Sequence, residues 1–245
     1  MTISTTTLTT TAPDGTALHS YVAMPIDTPT NSTSPAVLVA PEWWGVVEHP
    51  KTVAERLANE GFVAVVMDIY GDGKMTTDAH QANEWMTQML TNSDELMNRC
   101  AKIFADVAAL PQVDGSRIGI AGFCFGGKIA LDMARLGTPL KAVATFHGNP
   151  TPITPATADK FTAKVLVAHG GADSMIPDAA IDGLRAELDA ANVSYEIDVY
   201  AGAKHGFSNP HADERARENS VDLGYHADAA KASWDKMVKF MKESL

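Results

Sequence analysis

Residues Arg117-Ile118-Gly119-Ile120-Ala121-Gly122-Phe123-Cys124-Phe125-Gly126-Gly127-Lys128 decide how the rest of the chain is read. The short apolar run Ile118–Ala121 passes at once into Gly122-Phe123-Cys124-Phe125-Gly126, a G-x-S-x-G nucleophile elbow with cysteine in the serine position. A strand-to-helix turn this sharp strains the backbone of the central residue, and neighbours without Cβ atoms let strand and helix pass closely. Ile129, Ala130, Met133 and Leu136 continue the stretch as an amphipathic helix. The helix N-terminus then lies beneath the sulfur and favours negative charge there. The competing reading is a buried cysteine in a glycine-rich turn.

Outward from the elbow, the chain reads as strand–helix units behind a hairpin. Thr2–Thr11 and Leu18–Met24 alternate on either side of the turn Pro13-Asp14-Gly15, which predicts an edge hairpin. Ile26–Pro35 reads as a loop. Ala36–Ala40 and Phe62–Met67 are apolar without alternation, as in parallel strands buried on both faces. His49–Glu60 reads as a helix closed by Gly61, and Asp78–Leu110 as a helix in two pieces. Further strands are expected at Leu140–Phe146, Lys164–Ala168 and Tyr195–Tyr200. Helices are expected at Pro177–Ala191 and Tyr225–Leu245. The order predicts an α/β fold with a mostly parallel sheet of about eight strands and helices on both faces. Residues 1–245 are read as one domain, with 1–35 a hairpin and loop leading into it.

Composition narrows the class. The chain has 245 residues, 45% hydrophobic and 20% charged, enough for one large core. Its formal net charge of −11 disfavours nucleic acid and anionic membrane as partners. Two cysteines, Cys100 and Cys124, make no disulfide framework and suit a reducing cytoplasm. The threonine-rich first 15 residues lack a basic and apolar leader pattern, so no secretory signal is expected. No apolar run reaches the roughly 20 residues of a spanning helix.

In an open parallel sheet, functional residues gather beyond the carboxyl ends of the strands. Four such loops begin at Pro41, Gly122, His169 and Gly202. Three of them supply nucleophile, acid and base in the order an elbow fold uses: Cys124, Asp173, His205. A thiol is mostly protonated near neutrality, so a base must take its proton. Histidine titrates in the right range, and a carboxylate fixes its tautomer. His147, His169, His211 and His226 compete as bases; of these, His147 ends a neighbouring strand and is expected to line the pocket. Asp178 and Asp182 read as helix residues, Asp198 as a strand residue facing water, and Cys100 as a core thiol. The tetrahedral intermediate needs two donors. The Phe125 backbone N–H is one, and Trp43, from the loop after Ala36–Ala40, is chosen as the other. Glu42, beside two tryptophans, is either poised near the sulfur or salt-bridged to a lysine or arginine. His147, His169 and His205 sit on separate strands without metal-ligand spacing, so neither metal nor cofactor is expected.

Pro41-Glu42-Trp43-Trp44-Gly45, Asp68-Ile69-Tyr70, Gly122–Gly127, His169-Gly170-Gly171-Ala172-Asp173 and Ala203-Lys204-His205-Gly206-Phe207 together resemble the dienelactone hydrolase family, an α/β-hydrolase branch with a cysteine nucleophile. The resemblance runs in order from Ala36 to Leu245. It implies a Cys124/His205/Asp173 triad, an oxyanion hole from the Phe125 and Trp43 backbones, and Glu42 as a partner of the resting thiol.

The chain departs from that pattern at the substrate carboxylate. The family archetype has an arginine four residues after the triad histidine, where Asn209 stands. Its second arginine belongs to a segment that here, from Met75 to Asn98, contains no lysine or arginine. An anionic substrate would lose its bidentate partners. Trp43, Trp44, Tyr70, Trp85 and Phe207 are expected to wall a pocket for a neutral ester or lactone. Activated phosphotriesters are chemically accessible to the same groups. The expected protein is a cytoplasmic monomer or homodimer. The alternative is a non-catalytic, redox-sensing protein on a hydrolase scaffold, which would need no aspartate-oriented histidine.

Overall fold

Threonine-rich alternation at the N-terminus does what a half-buried edge needs: it pairs with its own continuation. In the computed structural model, which describes residues 2–26 and 32–245, β1 (Ile3–Thr11) and β2 (Ala17–Pro25) form an antiparallel hairpin with Ile3 opposite Pro25 and Thr11 opposite Ala17. The turn is set by Asp14, whose Oδ1 accepts from Thr16 N, and by Gly15 at φ 87°. Half of the expected loop Ile26–Pro35 falls on 27–31, outside the described residues. Its last two residues already belong to β3 (Ser34–Ala40).

Eight strands form one sheet in the order β1-β2-β4-β3-β5-β6-β7-β8, and seven helices accompany it among the described residues. The chain groups into two compact units, one ending at Ile120 and including Leu245, the other Ala121–Ser244.

In the first unit, β3 pairs parallel with β4 (Val63–Val66), which pairs antiparallel with β2. Ala36–Ala40 and Val63–Val66 are wholly buried, which is why these runs show no alternation. α1 (Glu48–Asn59) turns Val53, Ala54, Leu57 and Ala58 inward. The two-piece helix resolves into α2 (Ala79–Thr91), capped by Asp78 onto His80 N, and α3 (Ser93–Ala108). β5 (Val113–Phe123) begins five residues before the apolar run that announced it.

In the second unit, α4 (Phe125–Arg135) follows β5 through Cys124 alone. β6 (Ala142–Phe146), β7 (Lys164–Gly170) and β8 (Tyr195–Tyr200) run parallel. α5 (Asp178–Ala190) is preceded by Pro177 in extended conformation, at φ −69° and ψ 152°; this proline is a cap rather than a residue of the first turn. α6 (Ala212–Asn219) was not expected, because Ala-Asp-Glu-Arg-Ala-Arg-Glu-Asn has no apolar face and only Ala212 is buried. α7 (Ala227–Ser244) closes the chain. Behind the elbow, the fully buried Arg135 binds Asp132 at 2.9 Å, Glu187 at 2.7 Å and the Pro150 carbonyl at 2.7 Å. Asp132 and Glu187 also accept from Ile153 N and Ala156 N, so buried charges on α4 and α5 hold the proline-rich loop after β6.

No helix among the described residues is long and apolar enough to cross a membrane.

Candidate active site

The elbow has the strain its glycines foretell. Cys124 sits between strand and helix at φ 52° and ψ −114°, a conformation that costs a non-glycine residue roughly 1–3 kcal/mol. Its N–H donates to the Phe146 carbonyl at 3.0 Å, while its own carbonyl accepts the first helical bonds, from Gly127 N at 3.0 Å and Lys128 N at 3.4 Å. A Cβ on Gly122 would collide with the Gly126 carbonyl, and one on Gly127 with Thr145 Oγ1. Only glycine lets β5 and β6 approach the start of α4 this closely. The thiol is half-buried at the helix N-terminus, where Phe125 is the first helical residue.

Asp173 lies just past β7. Its Oδ1 accepts from Met175 N at 2.9 Å and Ile176 N at 3.0 Å, and its Oδ2 meets His205 Nδ1 at 2.9 Å. The carboxylate can only accept, so Nδ1 carries the proton and Nε2 is the ring's acceptor in the neutral form. Both side chains are buried. Nε2 makes no hydrogen bond within normal limits among the described residues, yet the Cys124 sulfur lies close enough to act on it. Such contacts are often loose before substrate binds. Burial pushes the His205 imidazole toward neutrality. The charge of a Cys124 thiolate and the Asp173 bond outweigh that, and its pKa rises from 6.5 to about 10.

His147, at the end of β6, is almost wholly buried and holds φ 41°. Its ring stands edge-on to His205 at 5.0 Å and to Phe207 at 5.4 Å, and its Nε2 lies 3.0 Å from Ser208 Oγ. Phe207 is fully buried and also packs on Tyr200. The second unit thus brings together Cys124, His205, Asp173, His147 and Phe207.

The remaining candidates belong to the first unit, where they form their own cluster. The Trp43 and Trp44 rings meet edge to face at 4.9 Å. Tyr70 lies 5.5 Å from Trp85 and donates its hydroxyl to the Trp43 carbonyl at 2.9 Å. Trp44 and Tyr70 are buried, while Trp43 and Trp85 keep part of their surface exposed. Glu42 is buried and faces His49 Nδ1 at 3.5 Å, a charge pair only when His49 is protonated. A histidine in the first turn of α1 was not among the partners expected for it.

The competitors are otherwise engaged. The buried His169 turns its Nε2 toward the exposed Asp178 at 3.5 Å, His226 Nδ1 accepts from Ala229 N at the start of α7, and His211 pairs with Glu214. Asp198 pairs with Lys236 at 2.6 Å. Burial pushes the Cys100 thiol up to about 12. Asn209, in place of the family arginine, is buried, and its Oδ1 accepts from His211 N at 2.9 Å. Arg99, the first arginine after the Met75–Asn98 gap, donates to the Tyr70 carbonyl at 2.8 Å, Asp14 at 2.7 Å and Glu95 at 2.6 Å, and so is committed to the scaffold. No three His, Cys, Asp or Glu side chains converge as a metal site among the described residues. Sequence reasoning missed Ser208, whose link to His147 joins positions far apart in the chain without any local pattern.

A strained cysteine at a helix N-terminus and a buried histidine oriented by a carboxylate can carry out nucleophilic acyl transfer. Comparison with known proteins agrees in kind. A model of the dienelactone hydrolase family matches residues 20–245. A Synechocystis sp. protein provisionally named carboxymethylenebutenolidase is 31% identical, over 98% of this chain and 97% of its own. Among solved structures, a dienelactone hydrolase-like promiscuous phosphotriesterase from metagenomic libraries superimposes with a TM-score of 0.90 at 29% identity, covering 100% of this chain and 99% of its own. A protein from Klebsiella pneumoniae subsp. pneumoniae, provisionally named dienelactone hydrolase, gives 0.79 at 26% identity over 99% of both chains.

Proposed function

The chain belongs to the dienelactone hydrolase family, and from that premise we propose that it hydrolyses neutral esters or lactones through a thioacyl intermediate on Cys124. The observation that carries this reading is the buried His205–Asp173 bond of 2.9 Å, with the opposite ring nitrogen buried and without a hydrogen-bond partner among the described residues. Nε2 takes the thiol proton before attack, as its raised pKa favours, and the resulting thiolate bonds to the substrate carbonyl carbon. The tetrahedral oxyanion is held by the Phe125 N–H at the start of α4. Nε2–H then protonates the departing alkoxide, leaving a thioester. Water, deprotonated by Nε2, cleaves the thioester to release the acid and restore the thiol. By the family resemblance alone, the Trp43 amide is assigned as second oxyanion donor, and Glu42 as the group that assists thiol activation. A redox sensor would have no use for an aspartate-oriented histidine.

The substrate is read as neutral because Asn209 and Arg99 are both spent on internal bonds. His147, packed on His205, and Phe207, packed on His147, remain the proposed lining for an apolar or aromatic acyl group. A second activity, on activated phosphotriesters, is favoured by the likeness to the promiscuous phosphotriesterase; there the same sulfur would attack phosphorus in place of carbon.

A panel of matched lactones with and without a carboxylate, p-nitrophenyl esters and an activated phosphotriester tests the reading. Neutral esters and lactones should have the highest kcat/KM, by about 10-fold or more over carboxylated lactones, the scale of one lost charge-assisted contact. A preference for the carboxylated lactone would overturn the neutral-substrate assignment.

A further inference from the structure

We propose that Asp222 is a positioning residue that locks the acid loop of the triad to its base loop. This rests on the reading of Cys124, His205 and Asp173 as the reacting groups.

Asp222 lies in the segment between α6 and α7. Its Oδ2 accepts from the Ser174 hydroxyl at 2.6 Å, and its Oδ1 from Lys204 Nζ at 2.6 Å. Ser174 directly follows Asp173, and Lys204 directly precedes His205. One carboxylate thus holds the chain neighbours of both the acid and the base. The same segment lies along the base loop through its backbone, Gly224 N donating to the His205 carbonyl at 3.1 Å and His226 N to the Phe207 carbonyl at 3.0 Å. Elsewhere, Ala172 N donates to the Ala203 carbonyl at 2.9 Å. The Lys204 and Ser174 bonds lower the Asp222 pKa below its ordinary value and keep it an acceptor for both.

The clamp matters because the His205–Asp173 bond spans two loops that follow different strands. Independent motion of either loop would stretch that bond. Lys204 and Asp222 are each about half exposed, at 50% and 46%, so the pair contributes little to global stability. Its effect belongs in the turnover step, where small misplacements of reacting groups cost rate.

The test measures kcat, KM and thermal midpoint on p-nitrophenyl acetate for wild type and D222A, with S174A and K204M each introduced into both. D222A is expected to lower kcat about three- to tenfold, with KM and midpoint near wild type. S174A and K204M should each slow the wild type and have no further effect in D222A. Salt at about 1 M should slow the wild type and not D222A. Unchanged kcat in D222A, full effects of S174A and K204M in D222A, or a kcat loss that tracks the midpoint would each overturn the clamp. Cys124→Ala, run alongside, separates the two levels. If it keeps turnover, the triad reading fails whatever Asp222 does; if it is inactive while D222A is unaffected, only the clamp fails.

Discussion

Asp68 and Asp173 are both buried aspartates in turns that follow strands, and both use each oxygen as an acceptor, yet their surroundings leave different things over. Asp68 accepts from His19 N at 2.8 Å, Gly71 N at 2.9 Å and Gly73 N at 2.8 Å. Beside it, Arg99 spends every guanidinium nitrogen on Asp14, Glu95, Thr16 and the carbonyls of Ile69 and Tyr70. That region is a closed account of donors and acceptors, held by one guanidinium. Asp173 also accepts two backbone N–H groups, but its third partner is a histidine, and that ring keeps one buried nitrogen unspent. Buried charge alone therefore does not mark a reactive centre. What sets the second site apart is an oriented histidine with one buried nitrogen unspent.

The contrast breaks most readily at Asp173. Asp173→Asn should keep the fold, with a thermal midpoint within about 3 °C of wild type. It should lower kcat/KM by about 10³- to 10⁴-fold, because the imidazole loses its tautomer lock and its counter-charge. Arg99→Met should do the reverse. It strands Asp14, Glu95 and the Tyr70 carbonyl, all partly shielded, at about 2–3 kcal/mol. The midpoint should fall by about 5–10 °C, while kcat of the folded enzyme stays within about twofold. Calorimetry and steady-state kinetics on both variants check the crossing. A silent Asp173→Asn, or an Arg99→Met that loses kcat at constant midpoint, would erase the distinction.

A smaller effect sharpens the electrostatic side. The folded-state pKa of His205 lies above its ordinary 6.5, at about 10. The stabilisation from its protonated form is therefore fully present below about 6.5 and is lost as pH rises through about 10. The midpoint advantage of wild type over His205→Gln should shrink between about pH 6 and pH 10.5. An advantage that grows over that window would mean the imidazole is held neutral.

How much could be read without coordinates follows from the range of each interaction. The elbow was legible because its backbone constraint is written locally, in Gly122, Gly126 and Gly127 around Cys124. The strands were legible from unbroken apolar runs such as Val63–Val66, and Asp173 and His205 from their place after β7 and β8. α6 was not, since a helix without an apolar face leaves no periodic trace. The Arg99, Arg135 and Asp222 networks were equally hidden, because each joins residues distant in the chain through side-chain geometry that no local spacing encodes. Glu42 falls between: its burial was foreseeable beside two tryptophans, its His49 partner was not.

The central claim is that Cys124 carries the acyl group. Wild-type enzyme mixed with p-nitrophenyl acetate, acid-quenched during the burst and mapped by peptide mass spectrometry, tests it directly. The account predicts one acetyl group per chain, on Cys124 and not on the buried Cys100, in an amount matching the burst of p-nitrophenol. Burst-phase turnover with Cys124 unmodified, or with the acetyl group on another residue, would contradict it.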